Sequence, residues 1–263
     1  MELTVLGCWA PYPRPGGACS GYLIKDGHTA LMLEAGNGTL SRLGLHFDFR
    51  QLSAVALSHL HPDHYMDIYC LRHAIEGARR EGTRDDPLPL FMPGQPRGTF
   101  QELSGYTRAF QVVCIDSLSR VELAPGLWSR HARVGGNLTL DFIEAAHSLP
   151  GYGVSVTGPG GRLVYSGDTA GSQELELLAG GADLFLCEAS GLDGDADYLR
   201  GVHLTARGAG ELARRAGAKG LLITHFWPLY RREEFCRQAA AGYGGPVEAA
   251  IENKVYQVAS EEK

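Results

Sequence analysis

Short apolar runs that stop abruptly at polar residues dominate the chain. "AVALSH" (54–59), "ADLFLCEAS" (182–190) and "KGLLITHF" (219–226) read as strands buried on both faces. In "GYLIKDGHTALMLEAG" two apolar runs flank Asp26-Gly27, which predicts a β-hairpin. "YGVSVTGPGGRLVYSGD" predicts a second, turning at Gly158 to Gly161, and "VEAAIENKVYQVA" a third. Helical spacing is rarer. Ala206, Ala209, Leu212, Ala213 and Ala216 fall on one face of a helix, with Thr205 as N-cap and Gly217 or Gly220 as the stop. "DHYMDIYCLRHAIEGARR" (63–80) predicts one helix, with Tyr65, Ile68 and Leu71 or Arg72 stepping around a face, and "EEFCRQAAAGY" another. "REGTRDDPLP" (80–89) predicts a surface loop. Strands with helices recur in two weakly similar halves of one domain, roughly 1–130 and 131–263. The pattern suits an α/β fold, a four-layer αββα sandwich with two mixed sheets packed face to face and helices outside.

Composition narrows the function classes. The 263 residues suit a single large domain, and the 35 glycines point to many tight turns rather than a helical bundle. The net charge of −6 lacks the basic footprint of a dedicated nucleic-acid binder. No run approaches the roughly 18 apolar residues of a membrane span, and no signal peptide is expected, so the chain reads as cytoplasmic with no membrane partner. The six cysteines are widely and irregularly spaced, which predicts reduced, mostly buried thiols.

One stretch departs from this ordinary picture. "ALSHLHPDHYMD" (56–67) places His59, His61, Asp63 and His64 within six positions, directly behind a strand. His59 and His61 are two apart, so in extended chain they point the same way. Such a loop could aim two donors at one ion and two at a neighbour. Imidazole and carboxylate suit zinc, and also manganese or iron. Zinc takes about four ligands, so further donors are needed. His147, Asp168 and His225 each close a strand-like run, where side chains from separate strands converge at a sheet edge. A single buried histidine is more often a core residue, but seven donors in this order with strand-end context outweigh that reading.

The ordered set His-x-His-x-Asp-His, a lone histidine, "SGDT" and "THF" resembles the metallo-β-lactamase superfamily over essentially the whole chain. Within it the likeness is greatest to the ribonuclease Z and related phosphodiesterase group. The resemblance implies a binuclear site: His59, His61 and His147 on one metal, Asp63, His64 and His225 on the other, Asp168 bridging. It implies hydrolysis through a hydroxide shared by the ions. Two zinc ions are expected, manganese being the alternative. True β-lactamases often carry cysteine where Asp168 stands, and di-iron relatives glutamate where His61 stands, so this chain sides with neither.

"FLCEASG" and "GVHLT" resemble the family's His-Glu-Ala-Thr and HxT stretches, with Cys187 replacing the first histidine. Asp63, Glu188 and His203 are the candidate catalytic side chains. Asp63 is expected to accept a proton while ligating, and His203, oriented by Glu188, to contact the scissile phosphate. Glu34 replaces the aspartate of the family's first motif and is expected to hydrogen-bond the metal loop. Gly36 and Gly38 read as tight-turn glycines, Ser166 and Thr169 as loop tethers, and Trp9, Tyr12 and Trp227 as ordinary aromatics or pocket walls. Asp195 to Asp197 and Arg231-Arg232 read as solvated. Many tRNA-processing relatives carry an RNA-clamping arm between the lone histidine and "SGDT". Here only 148–167 intervene, and a hairpin fills them. The expected substrate is therefore a small or cyclic nucleotide-type phosphodiester, with RNA less favoured and a homodimer by analogy with relatives. A tRNA 3'-processing endoribonuclease and a lactone or thioester hydrolase are the alternatives. A non-catalytic carrier on the same fold would be expected to lose ligands, and here all seven positions are filled.

Overall fold

The computed structural model describes residues 1–258. Its first sheet contains β1 (Glu2–Gly7), β2 (Gly21–Asp26), β3 (Thr29–Ala35), β4 (Ala54–Ala56), β5 (Leu88–Met92) and β6 (Phe110–Cys114). Its second contains β7 (Arg120–Ala124), β8 (Leu127–Val134), β9 (Leu138–Glu144), β10 (Tyr152–Gly158), β11 (Gly161–Tyr165), β12 (Leu184–Glu188), β13 (Leu221–Thr224) and β14 (Glu248–Ala249). A last strand, β15 (Val255–Gln257), returns to the first sheet beside β1. Both sheets are mixed. β1 to β3 are antiparallel, whereas β3 to β6 run parallel; β7 to β11 are antiparallel, whereas β11 to β14 run parallel.

The helices are α1 (Thr39–His46), α2 (Pro62–Tyr65), α3 (Ile68–Arg80), α4 (Arg97–Ser104), α5 (Gln173–Ala179), α6 (Ala196–Leu199), α7 (Ala206–Ala216) and α8 (Arg232–Tyr243). The period-2 alternation of strand side chains sorts them into layers. Leu23, Met32 and Val55 pack with Leu43 of α1 and Ile68, Leu71 and Ile75 of α3. Their neighbours Tyr22, Ile24, Leu31 and Ala54 face the second sheet instead. There Tyr22 meets Tyr165, ring centroids 5.5 Å apart, and its hydroxyl lies 2.6 Å from Thr224 Oγ1. α5, α7 and α8 pack on the second sheet from outside. The expected αββα sandwich is the fold observed.

Local signals explain α7. Thr205 caps it by accepting from Gly208 N–H at 3.1 Å, and Gly217 ends it in the left-handed conformation at φ 63. Its small residues let α8 approach closely: a Cβ at Gly210 would lie 2.1 Å from the Ala239 carbonyl oxygen.

Some expectations need correction. The predicted C-terminal hairpin does not exist: β14 pairs parallel with β13 in one sheet, and β15 pairs antiparallel with β1 in the other. The predicted helix over 63–80 is two helices. At Asp67 the backbone N–H leaves the helical ladder for the Ala35 carbonyl, at 2.9 Å. The Asp67 carboxylate then accepts from Leu40 N–H at 2.8 Å, capping α1, whose own N-cap residue is Gly38. The loop predicted over 80–89 is shorter, since Arg80 ends α3 and Leu88 begins β5. Asp195 to Asp197 are not simply solvated, because Asp195 accepts from Leu192 N–H and from the Tyr230 hydroxyl and starts α6. Arg232 also departs from the solvated reading: it turns inward, within 3.3 Å of Glu252, its guanidinium over the buried Trp9 ring. The six cysteines are free, with Cys8, Cys19 and Cys187 buried and Cys70 exposed.

Candidate metal centre

All seven donors singled out in the sequence converge at one edge of the sandwich, just beyond the C-terminal ends of strands. His59, His61, Asp63 and His64 follow β4 of the first sheet. His147 follows β9, Asp168 follows β11 and His225 follows β13, all of the second sheet. Two groups result: His59, His61, His147 and Asp168, and Asp63, His64 and His225. Within each, one donor atom per residue lies within 4.8 Å of every other.

Asp168 divides its two oxygens between them. Oδ2 lies 3.5 Å from His59 Nε2 and 4.0 Å from His147 Nε2, while Oδ1 lies 3.4 Å from His64 Nε2 and 3.2 Å from His225 Nε2. Asp63 Oδ2 stands 3.6 Å from both His64 Nε2 and His225 Nε2. Ring nitrogens also face one another: His59 Nε2 and His61 Nδ1 at 3.0 Å, His64 Nε2 and His225 Nε2 at 3.1 Å. Asp168 Oδ1 is buried with no hydrogen-bond partner. Buried polar atoms normally have partners. An orphaned carboxylate oxygen amid converging imidazole nitrogens fits divalent cations, and the nitrogen and oxygen donor set suits zinc or manganese.

Burial lowers the pKa of His59 well below the ordinary histidine value, and it lowers His61 and His147 as well. Burial also opposes charge on His64 and His225, but there the Asp168 and Asp63 carboxylates outweigh it. His64 is held well above the usual range, and His225 is raised to about 10. Burial of Asp168 favours its neutral form, yet His225, His64 and His59 keep its pKa well below the usual carboxylate value.

Hydrogen bonds behind the donors set their orientation. His147 Nδ1 donates to the Val202 carbonyl at 2.8 Å, leaving Nε2 for the site. His59 Nδ1 lies 3.0 Å from Ser58 Oγ. Glu34, fully buried, accepts from Ser58 N–H at 3.0 Å, so it holds the metal loop from below as expected. Ser166 Oγ accepts from Glu188 N–H at 2.9 Å, and Thr169 N–H donates to Glu188 at 2.6 Å, so this loop is tethered too. At Gly36 a Cβ would lie 2.1 Å from the Asp63 carbonyl oxygen, which only glycine permits.

Glu188 and His203 meet: His203 Nδ1 lies 2.9 Å from Glu188 Oε1. Burial opposes charge on His203, but Glu188 and then Asp168 raise its pKa above the ordinary value. Asp168, His203 and His225 themselves form a third close trio. Cys187 is fully buried on β12.

A cavity of about 400 Å³ opens onto the donors, floored by His61, Asp63, Asp168, His203 and His225. Its walls include Pro11, Trp227, Tyr198 and Leu199. Tyr12 packs edge-on against Trp227 at 5.9 Å. Trp9 is absent from this wall and sits in the core. Sequence reasoning missed Tyr198 and Leu199 because the run around Asp195 looked like a solvated loop. It also gave Ser190 no role, though its position two residues after Glu188 was a signal.

Comparison with known proteins agrees with the geometry. A model of the beta-lactamase superfamily domain matches residues 31–226. An uncharacterized protein of Mycobacterium leprae (strain TN) is 32% identical over 265 residues, covering 100% of this chain and 90% of the relative. A ribonuclease Z of Mycobacterium bovis (strain BCG / Pasteur 1173P2) is 26% identical, covering 98% of each. The metallo-beta-lactamase fold protein YhfI from Bacillus subtilis superposes with a TM-score of 0.85 at 26% identity, over 97% of this chain and 98% of that one. A human short-form tRNase Z shares the fold, with a TM-score of 0.75 at 22% identity, over 98% and 99% of the two chains. Ordered donors, layered sheets and these matches lead to one family, and the chain belongs to the metallo-β-lactamase superfamily.

Proposed function

We propose that this metallo-hydrolase cleaves small phosphodiesters, of the cyclic nucleotide type, with two divalent ions, zinc ahead of manganese. The observation that carries the reading is the cavity: small, partly aromatic in its walls, and lined by no lysine or arginine among the described residues. Such a pocket suits a ligand with one anionic group and one flat apolar part better than a polyanion. His59, His61 and His147 would hold one ion, Asp63, His64 and His225 the other, with Asp168 between them. When bound, the pair supplies Lewis acidity toward phosphoryl oxygens and makes water nucleophilic at neutral pH.

The chain's own groups do the rest. Water attacks phosphorus, its proton passing to the Asp63 carboxylate, and the bond to the leaving oxygen breaks. His203 gives that oxygen a proton from Nε2, since Nδ1 is engaged by Glu188. Glu188 acts as a positioning residue. Trp227 and Tyr198 flank the flat part of the substrate.

Metal-loaded protein should hydrolyse bis(p-nitrophenyl) phosphate and members of a cyclic nucleotide panel, and leave a lactone and thioester panel untouched. The reverse outcome would transfer the site to lactone or thioester chemistry. The likeness to ribonuclease Z supports a second reading, tRNA 3'-processing. Against it, the β10–β11 hairpin fills the interval where an RNA-clamping arm would be expected. Cleavage of a precursor tRNA at its 3' side would favour that reading.

A further inference from the structure

Resting on the two-ion reading above, we propose that Ser190 is a positioning residue that fixes His225 as a ligand through Nε2. Glu188 is the hub of the network. Its Oε1 accepts from Thr169 N–H at 2.6 Å and His203 Nδ1 at 2.9 Å, and its Oε2 from Ser190 Oγ at 2.5 Å and Leu204 N–H at 3.3 Å. A carboxylate offers only lone pairs, so the serine hydroxyl must donate to it. That uses the one proton Ser190 has. Ser190 Oγ can then only accept from His225 Nδ1, 2.8 Å away. His225 Nδ1 therefore carries a proton, and in the neutral ring the free lone pair falls on Nε2. That nitrogen is the one facing Asp168 Oδ1, Asp63 Oδ2 and His64. Ser190 Oγ also lies 3.2 Å from His203 Nδ1, whose proton goes to the nearer Glu188 Oε1, so one carboxylate anchors both histidines, His203 directly and His225 through the serine.

His147 provides the contrast. Its Nδ1 is held by the Val202 main-chain carbonyl, which no side-chain substitution removes. Of these two ligands, only His225 depends on a replaceable side chain for its orientation. Losing such a partner typically weakens metal binding about 10- to 100-fold.

The test uses wild type, Ser190→Ala and Ser190→Thr, loaded with Zn²⁺ and titrated with chelators of graded strength while bound zinc is counted by mass spectrometry. Wild type should hold two ions. Ser190→Ala should keep one as tightly as wild type and give up the other about 10- to 100-fold more readily. Ser190→Thr, which restores the hydroxyl, should return to two tightly held ions. The proposal is overturned if Ser190→Ala holds both ions as wild type does, if it loses both together, or if threonine fails to rescue. Nitrogen-15 NMR of the zinc-loaded wild type gives a reading independent of any variant's folding: His225 Nδ1 should bear the proton, and a bare Nδ1 overturns the proposal. Fewer than two ions on wild type would instead remove the two-ion reading, and this proposal with it.

Discussion

The two groups of donors draw on the same residue types but are held by different means. His59 and His147 lean on neutral groups, a serine hydroxyl and a main-chain carbonyl, and their group has histidines whose pKa values burial has pushed down. The group of Asp63, His64 and His225 is set among carboxylates, with Glu34 behind His64 and Glu188 behind Ser190. There the histidines are pushed up. A neutral imidazole is ready to ligate, whereas a charged one must first release a proton. Burial opposes charge on the histidines of both groups and Asp168 favours it in both; burial prevails in the first, the carboxylates in the second. The contrast teaches that equivalent ligands can carry very different dependence on their neighbours.

The change that should do most to erase this contrast is Asp168→Ala, because Asp168 touches both groups. Metal analysis should find both ions lost or loosely held, and kcat should fall by about 10³-fold, equivalent to roughly 4 kcal/mol. One ion held with undiminished affinity would show the groups to be independent. His61→Ala and His225→Ala separate them next. Each should leave one of two ions in place, and the survivor should differ between the two variants by metal titration. Gly36→Ala presses hardest on the Asp63 main chain, and also on Cys19 and Ser20. Thermal unfolding should show a loss of about 1–3 kcal/mol, and chelators should strip the Asp63 group first. Gly210→Ala, at the contact of α7 with α8, should cost a similar stability with ion count unchanged, so it separates packing from ligation. Tyr198→Ala should do least: the side chain is 83% exposed, and KM should rise by roughly fivefold, about 1 kcal/mol, with kcat and metal content kept.

The donors were legible because chemistry forced them into view. Histidines crowded behind an apolar strand have few structural uses, and each later donor also closed such a strand. The β2–β3 and β10–β11 hairpins announced themselves through Asp26-Gly27 and the glycine-rich turn. What stayed hidden depended on distant partners. The break at Asp67 exists because α1 and the Ala35 carbonyl claim it. The last two strands look like a hairpin locally, but the open edges of two different sheets separate them. α1, α4 and α5 passed unnoticed, although Ser172, which accepts from Leu175 N–H, was a readable cap for α5. The role of Ser190 was only partly legible: its place two residues after Glu188 was a signal, but His203 and His225, its other two neighbours, come from distant segments.

The loop after β4 comes from one sheet, while His147, Asp168 and His225 come from the other. Ions gripped between them would act as rivets through the seam of the sandwich. By mass action, each ion present at a thousand times its dissociation constant would add about 4 kcal/mol against unfolding. Chelation, heating and proteolysis would then all draw on the same equilibrium, so the supply of metal would bear on how long this protein lasts as well as on how fast it works.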